Sequence, residues 1–245
     1  MKQILFILFL LIFTGCASSS QKVSEFLQTD GAKLLQRDYQ DICNLLIEFK
    51  RKLDVRNPNA YDKNQTYYII EEIKNSKETL FYPHEGKYLK NYDDYLHVAF
   101  SKKNTKYRND FLILGLYKLI YETYKKREGH QFTSLSYDEE KFKKLYYYLK
   151  VINWKIKTNK DENENYLFLT WQRNWQVELQ KSKTQNIFEL SSLKKSKESL
   201  LDPSNFNFEI MMHQMFFHVK NSAKIIGEEP LELSLDAMTS FVLFL

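Results

Sequence analysis

The chain contains little cysteine, glycine and proline. Its 245 residues include two Cys, six Gly and four Pro. Two cysteines are too few for a disulfide-dense scaffold or for a cysteine-only zinc site. The small numbers of Gly and Pro exclude collagen-like and low-complexity chains. They also argue against a β-sandwich or barrel, because such folds need many tight turns.

Local motifs of catalysis are also missing from the sequence. It has no Gly-x-Gly-x-x-Gly or Gly-Lys-Ser/Thr phosphate loop, no Gly-x-Ser-x-Gly elbow and no His pair at zinc-protease spacing. These motifs mark nucleotide enzymes, α/β-hydrolases and zinc proteases. We therefore predict no cofactor and no metal, and we favour a protein without catalytic activity. A Ser-His-Asp triad that assembles only in space stays open.

The composition is that of an ordinary globular protein. Hydrophobic residues make up 43% and charged residues 27% of the chain, and the net charge is +5. This balance excludes disorder over the whole length. The basic residues occur as scattered pairs, such as Lys143-Lys144 and Lys194-Lys195, without an RNA-binding signature. We therefore expect no nucleic-acid partner.

The strongest signal lies in residues 1–16. Lys2 supplies a positive charge, and Ile4 to Phe13 is a continuous apolar run. About ten apolar residues match the core of a signal peptide and fall short of the ~20 needed for a membrane span. Thr14 and Gly15 then place small residues directly before Cys16.

This order resembles the signal peptide and lipobox of bacterial lipoproteins, with Phe13 where Leu is usual. The resemblance covers residues 1–16 only. It implies a signal peptide over residues 1–15, cleavage before Cys16, and acyl chains such as palmitate that anchor the protein in a membrane. Ala17 favours the outer membrane, facing the periplasm, because lipoproteins kept in the inner membrane often carry Asp there. The alternative is a plain secretory peptide with an incidental cysteine.

The remaining chain divides into a tether and one domain. Residues 16–29 hold the lipidated cysteine and a polar stretch typical of a short tether. Apolar residues at helical spacing in residues 30–245 predict a mainly α fold, a single α-helical periplasmic domain. The predicted helices are about 31–53 (capped by Asp30), 60–75, 91–100, 111–124, 137–151, a weak one within 181–204, 206–226 and 234–245.

Three segments have more specific predictions. The segment from Phe111 to Tyr124 is apolar on nearly every side, which predicts a central helix. Gly115 in its middle indicates a close crossing with another helix. Cys43 lies in an apolar stripe and is expected to be buried. The apolar residues 241–245 are expected to pack inside the domain.

One β-hairpin is predicted at about residues 154–171. Trp154 and Ile156 alternate with lysines, and Tyr166 and Phe168 begin a second alternating run after a polar connector. Two runs of period two around a polar connector are typical of a hairpin. A helix over 164–182 is the rival interpretation.

Trp171, Arg173 and Trp175 are the candidate partner-binding residues. Aromatic rings among amide side chains suit docking on a protein or stacking on a cell-wall polymer. The alternative, which we favour, is that each Trp fills the core. Met211, Met215 and His218 lie at helical spacing and offer ligands for Cu(I), but a core stripe is the preferred interpretation.

Asn64 is a candidate glycosylation site. Asn64 and Thr66 form the acceptor pattern, and Asp62 two residues before the Asn resembles the extended acceptor of the bacterial pathway. Chance occurrence of this short pattern is the alternative.

The sequence as a whole favours an outer-membrane-anchored lipoprotein. Its expected role is a non-catalytic binding or assembly component of the cell envelope, with the membrane, an envelope protein or a cell-wall polymer as partner. The alternatives are an envelope hydrolase without a local signature and a small-ligand carrier.

Overall fold

The chain is described by a computed structural model, which covers residues 17–125, 137–170, 189 and 207–227, with side chains from residue 30 onward. Within these ranges the elements are α1 (Ala17–Arg56), α2 (Thr66–Lys74), β1 (Pro83–His84), β2 (Lys87–Tyr88), α3 (Tyr92–Ala99), α4 (Arg108–Tyr124), α5 (Glu139–Thr158) and α6 (Asn207–Ile225). The predicted mainly α fold with one β-hairpin is confirmed. Among the described helices, none combines the length and apolar character of a membrane span.

The hairpin lies at residues 83–88, between the predicted helices at 60–75 and 91–100. β1 and β2 pair antiparallel, with Pro83 opposite Tyr88. Glu85 and Gly86 connect them with φ angles of 48° and 78°. Two consecutive residues in the left-handed region form the tight turn that suits a two-residue hairpin, and glycine adopts this conformation without steric cost.

The prediction of a hairpin at 154–171 is wrong in its position. Residues 154–158 form the end of α5, and residues 159–170 follow as an irregular segment with one antiparallel bridge between Lys160 and Tyr166. The alternation of apolar residues here coincides with a helical stripe, and burial of that stripe favours the helix. The buried side chains on this face of α5 are Leu145, Leu149, Ile152 and Ile156.

The first helix, α1, is longer than the predicted 31–53. It spans 40 residues, from Ala17 to Arg56. Asp30 therefore lies inside the helix, and its carboxylate pairs with Lys33 at 3.0 Å instead of capping the helix. The backbone of residues 17–29 is helical. The role of this segment as a tether to a lipid stays a prediction.

The central helix of the described fold is α4, as predicted. Residues 111–120 are all buried, and α4 packs against α1, α2, α3 and α5. A Cβ added at Gly115 would lie 2.8 Å from side-chain atoms of Leu96 on α3 and 3.2 Å from its backbone nitrogen. The predicted close crossing is therefore confirmed. It explains why a glycine occupies a helix interior, where it costs about 1 kcal/mol against alanine.

The last described helix, α6, packs against α1 and α5. Its end at Ile225, with Gly227 two residues later at φ 101°, agrees with the prediction of a helix over 206–226. Met211 and Met215 are buried on its inner face, so the core interpretation is confirmed for the two methionines of this stripe, while His218 is partly exposed. Cys43 of α1 is buried as predicted, and burial raises the pKa of its thiol to about 12.

A fully buried lysine joins α1 to α4. The side chain of Lys50 is 0% exposed, and its ammonium donates to Asp54 Oδ2 at 2.8 Å and to Asp110 Oδ1 at 2.7 Å. Burial raises the pKa of the Asp110 carboxyl, while the Lys50 ammonium and the Asp62 backbone N–H act in the opposite direction. Removal of the ammonium would leave two carboxylates in an apolar interior without a countercharge.

The same two carboxylates hold the connection between α1 and α2. Asp110 Oδ2 accepts a hydrogen bond from the Asp62 backbone N–H at 2.7 Å. The Asn109 side-chain amide donates to Asp54 Oδ1 at 3.0 Å, and its backbone N–H donates to the carbonyl of Ala60 at 2.8 Å. All four carboxylate oxygens therefore have partners, whereas the side-chain oxygen of Asn109 is buried without one. Partners for both charged groups favour a single arrangement of this network.

We expect Lys50→Met to lower the free energy of unfolding by about 3–5 kcal/mol, because it leaves the carboxylates of Asp54 and Asp110 buried and uncompensated. Urea denaturation followed by circular dichroism measures this change. The matched control is Arg51→Met, since Arg51 is exposed and pairs with Glu48 on the surface. That control should change stability by no more than about 1 kcal/mol.

If the Lys50→Met protein does not fold, a second variant keeps the prediction testable. Adding Asp54→Asn and Asp110→Asn to Lys50→Met removes both uncompensated charges. This triple variant should recover cooperative unfolding. Equal stabilities of the Lys50→Met and Arg51→Met proteins would contradict the structural role of the cluster.

Candidate functional site

Asp38 and His218 meet at the seam between α1 and α6. His218 Nδ1 lies 2.8 Å from Asp38 Oδ1, at which distance a ring N–H donates to the carboxylate. Ser222 lies one turn after His218 on α6, and its hydroxyl donates to Asp38 Oδ2 at 3.0 Å. The i, i+4 spacing of the two α6 residues places both against the same carboxylate of α1.

Tyr124, the last residue of α4, completes this cluster. Its hydroxyl donates to Ser222 Oγ at 2.8 Å. Burial raises the pKa of Tyr124 well above its ordinary value, so the phenol keeps its proton and acts as a donor. Asp38, Ser222 and Tyr124 therefore form a chain of hydrogen bonds that links α1, α6 and α4.

The cluster has the residue types of a catalytic triad but not its geometry. In a Ser-His-Asp triad the serine hydroxyl contacts the imidazole, which removes its proton during attack. Here the Ser222 hydroxyl donates to Asp38 and takes its own hydrogen bond from Tyr124. The pair of Asp38 and His218 can orient an imidazole for proton transfer, but Ser222 is not placed as its nucleophile.

The His218 ring faces an open surface pocket of about 450 Å³ between α1 and α6. Its wall is apolar at Leu34 and Phe217, which are 49% and 62% exposed. Arg37 and Lys224 are among the charged residues of the wall. The full lining is Leu34, Arg37, Asp38, Asp41, Phe217, His218, Asn221, Lys224 and Ile225.

A second depression of about 480 Å³ follows along the same seam. It contains two apolar side chains that face solvent, Val55 at 80% and Ile210 at 50% exposed. Its full lining is Leu45, Glu48, Arg51, Lys52, Val55, Asn207, Ile210 and Met211. We call the two depressions together the α1–α6 groove. From residue 34 to residue 55 it is about 31 Å long, at 1.5 Å per helical residue.

The predicted partner-binding residues Trp171, Arg173 and Trp175 lie outside the described residues, as does Cys16. The segment that leads to Trp171 is described. Leu169 is held to the end of α1, since its carbonyl accepts from Arg56 Nε at 3.1 Å and its N–H donates to Asn57 Oδ1 at 3.2 Å. The chain therefore enters the tryptophan segment from a fixed point beside Arg56.

Asn64 is exposed in the turn before α2. Its backbone N–H donates to Asp62 Oδ1 at 2.9 Å. The hydroxyl of Thr66 donates to the Asp62 carbonyl at 3.1 Å. The asparagine of the acceptor pattern is thus accessible, while the other two residues of the pattern stabilise the start of the helix. Its glycosylation stays a prediction.

Sequence reasoning misses Asp38, because an aspartate in an amphipathic helix is ordinarily a solvated residue. The available signal is the spacing of His218 and Ser222, which places two hydrogen-bonding groups on one face of α6. The sequence offers His218 as a Cu(I) ligand only as the alternative to a core stripe, and the structure pairs its ring with Asp38. In the described part of the chain, no three His, Cys, Asp or Glu side chains gather as a metal site.

No protein-family model, curated protein or solved structure matches this chain.

We expect Asp38→Ala to lower the free energy of unfolding by about 1–3 kcal/mol, because it leaves His218 and Ser222 without their acceptor. Asp41→Ala is the matched control. Asp41 lies on the same helix, and its exposed carboxylate is 3.9 Å from Arg37, so its loss should change stability by about 0.5 kcal/mol or less. Urea denaturation of both proteins gives the comparison. A similar loss in both would show that the buried hydrogen bonds of Asp38 add nothing.

Proposed function

We propose that this protein is an outer-membrane-anchored lipoprotein whose α-helical domain serves as a non-catalytic binding or assembly component of the cell envelope. The observation that carries the proposal is the order of residues 1–16. A positive residue, an apolar run of signal-peptide length and two small residues precede Cys16. A thioether-linked diacylglycerol at that position anchors a protein through about 0.8 kcal/mol per buried methylene group.

The structure of the domain supports binding more than catalysis. Ser222 is bonded to Asp38 and Tyr124, so the cluster at the α1–α6 seam has no serine poised against the imidazole. The segment that precedes Trp171 is fixed to the end of α1. Large aromatic side chains suit a protein interface, because each ring buries a large apolar area in a few well-packed contacts.

An envelope hydrolase is the second candidate. The observation that favours it is the carboxylate-oriented imidazole of His218 at the wall of an open pocket, where a ring nitrogen can act as a general base. Turnover of an envelope substrate that is lost in His218→Asn and kept in His213→Asn would favour this candidate over the binder. His213 is the appropriate control because it lies on the same helix and is exposed.

We expect Cys16→Ser to move the protein from the membrane fraction to the soluble fraction of the cell, because serine has no thiol to accept the diacylglycerol. The matched control is Cys43→Ser, which changes a buried thiol within the domain. That control should stay in the membrane fraction. Fractionation and immunoblotting of both variants test the anchor, and retention of Cys16→Ser in membranes would contradict it.

We expect crosslinking in intact cells to capture one abundant partner, and we expect the paired changes Trp171→Ala and Trp175→Ala to abolish its capture. The matched control pair is Tyr67→Ala and Tyr68→Ala, which removes two exposed aromatic rings elsewhere on the domain. Mass spectrometry identifies the partner, and thermal melting confirms that both variants fold. Equal capture by the two variants would contradict a tryptophan-mediated interface.

A further inference from the structure

The imidazole of His218 offers a fixed hydrogen-bond acceptor to the pocket at the α1–α6 seam. Its Nδ1 lies 2.8 Å from Asp38 Oδ1. The Asp38 carboxylate is held in turn by the hydroxyl of Ser222, which is fully buried. Because Nδ1–H donates to the carboxylate, the neutral ring keeps a lone pair on Nε2. Within the described residues no protein group donates to Nε2, so this atom is available to accept from a ligand.

An exposed aromatic ring lies directly beside this acceptor. The Phe217 side chain is 62% exposed. Its ring lies nearly perpendicular to the His218 ring, with the two centroids 5.7 Å apart. Leu34 of α1 adds a second exposed apolar side chain to the same pocket. A rigid ring with this exposure offers a flat apolar surface on which the face of a ligand ring can pack.

The charged side chains of the pocket balance one another. Arg37 and Lys224 are basic, and Asp38 and Asp41 are acidic. Arg37 Nε and Asp41 Oδ2 are 3.9 Å apart, so each of these two groups weakens the field of the other. A lining with two charges of each sign does not select a ligand with a strong net charge. The pocket therefore favours a neutral ligand.

The polar groups of the pocket include both donors and acceptors. Arg37 and the amide group of Asn221 supply N–H donors. The carboxylate of Asp41 and Nε2 of His218 accept, as does the amide oxygen of Asn221. A sugar ring carries hydroxyl groups, each of which both donates and accepts, around its rim, and it has C–H groups on its faces. An exposed phenyl ring beside mixed polar side chains matches both parts of this chemistry.

The size and position of the pocket also suit part of a polymer. Its volume of about 450 Å³ lies within the range of small-ligand sites, roughly 300–1,000 Å³. The second depression of the α1–α6 groove follows along the same seam. There the exposed apolar side chains of Val55 and Ile210 lie near the charged Glu48 and Arg51. A chain of sugars held at the pocket therefore has a further surface of mixed character to lie on.

We propose that the pocket lined by Phe217 and His218 binds a neutral sugar ring of a cell-wall glycan. The face of the sugar packs on Phe217, and one of its hydroxyl groups donates to Nε2 of His218. The buried hydrogen bonds of Asp38 hold the imidazole in place before the sugar arrives, which lowers the cost of binding. The proposal rests on the proposed function, because a location in the cell envelope selects the glycan of the cell wall as the ligand.

Saturation-transfer NMR with chitotriose, a soluble and neutral trimer of N-acetylglucosamine, tests this site. The protein is the full chain with Cys16→Ser, which carries no lipid. We expect saturable binding, with stronger saturation of the axial hydrogens on one pyranose face than on the other, because that face lies on Phe217. Phe217→Ala should raise the dissociation constant about tenfold. Tyr67→Ala, which removes a ring of similar exposure on α2, should leave it unchanged.

A second pair of variants tests the hydrogen-bond acceptor. His218→Asn keeps an N–H group that can donate to Asp38 but removes the ring nitrogen that faces the pocket, so it should weaken the binding of chitotriose. His213→Asn is the matched control, since His213 is exposed on the same helix. Thermal melting confirms that both proteins fold. If His218→Asn does not fold, the exposed position of Phe217 keeps the proposal testable.

Equal affinities of the Phe217→Ala and Tyr67→Ala proteins would overturn the proposal, as would the absence of saturable binding to the unsubstituted pocket. Saturation transfer to a soluble stem peptide of the cell wall, and not to chitotriose, would also overturn it and would indicate a peptide ligand. The lipid anchor is tested separately by fractionation. If chitotriose binds through Phe217 but Cys16 anchors nothing, the anchor fails and the sugar site stands. An anchored protein that binds no sugar loses the sugar site alone.

Discussion

The ammonium of Lys50 between Asp54 and Asp110 is the contact on which the arrangement of the described helices depends. It joins residues 60 positions apart in the chain, and it does so at zero solvent exposure. Because a buried charge without a partner costs several kcal/mol, packings that separate these groups are strongly disfavoured. The apolar residues of α1 and α4 supply the larger part of the burial, while the ion cluster selects one register between the two helices.

A second polar cluster lies at the other end of α4. Asp110 lies in the first turn of this helix beside Lys50, and Tyr124 ends the helix beside Ser222. The first turn of the central helix is therefore bonded directly to α1, and its last residue is linked to α1 through Ser222 of α6, with apolar packing between the two clusters. The second cluster includes Ser222 of α6. Buried hydrogen bonds, rather than surface contacts, therefore fix the position of α6 against α1 where His218 lies.

The sequence predicts α3, α4 and α6 closely, because their apolar residues repeat at helical spacing and glycine marks the end of α6. The sequence misplaces the hairpin, because the two alternating runs around residue 160 fit both the period of a strand and the period of a helix. The burial of Ile152 and Ile156 decides for the helix. The two polar clusters could not be predicted from the sequence for another reason. Lys50, Asp110 and Asp38 are residue types usually found in solvent, and their partners lie far away in the chain. Trp171, Arg173 and Trp175 stay predictions.

The start of α1 at Ala17 bears on how far the domain can move from a lipid at Cys16. A flexible chain of the 13 residues 17–29 would have a root-mean-square length of about 20 Å and a contour of about 44 Å, so the domain could touch the bilayer or stand well clear of it. A helix of the same 13 residues also spans about 20 Å, but at a fixed length. Under the proposed anchoring, α1 is a spacer of fixed length. The distance between the domain and the membrane then depends on the angle of this one helix to the membrane plane.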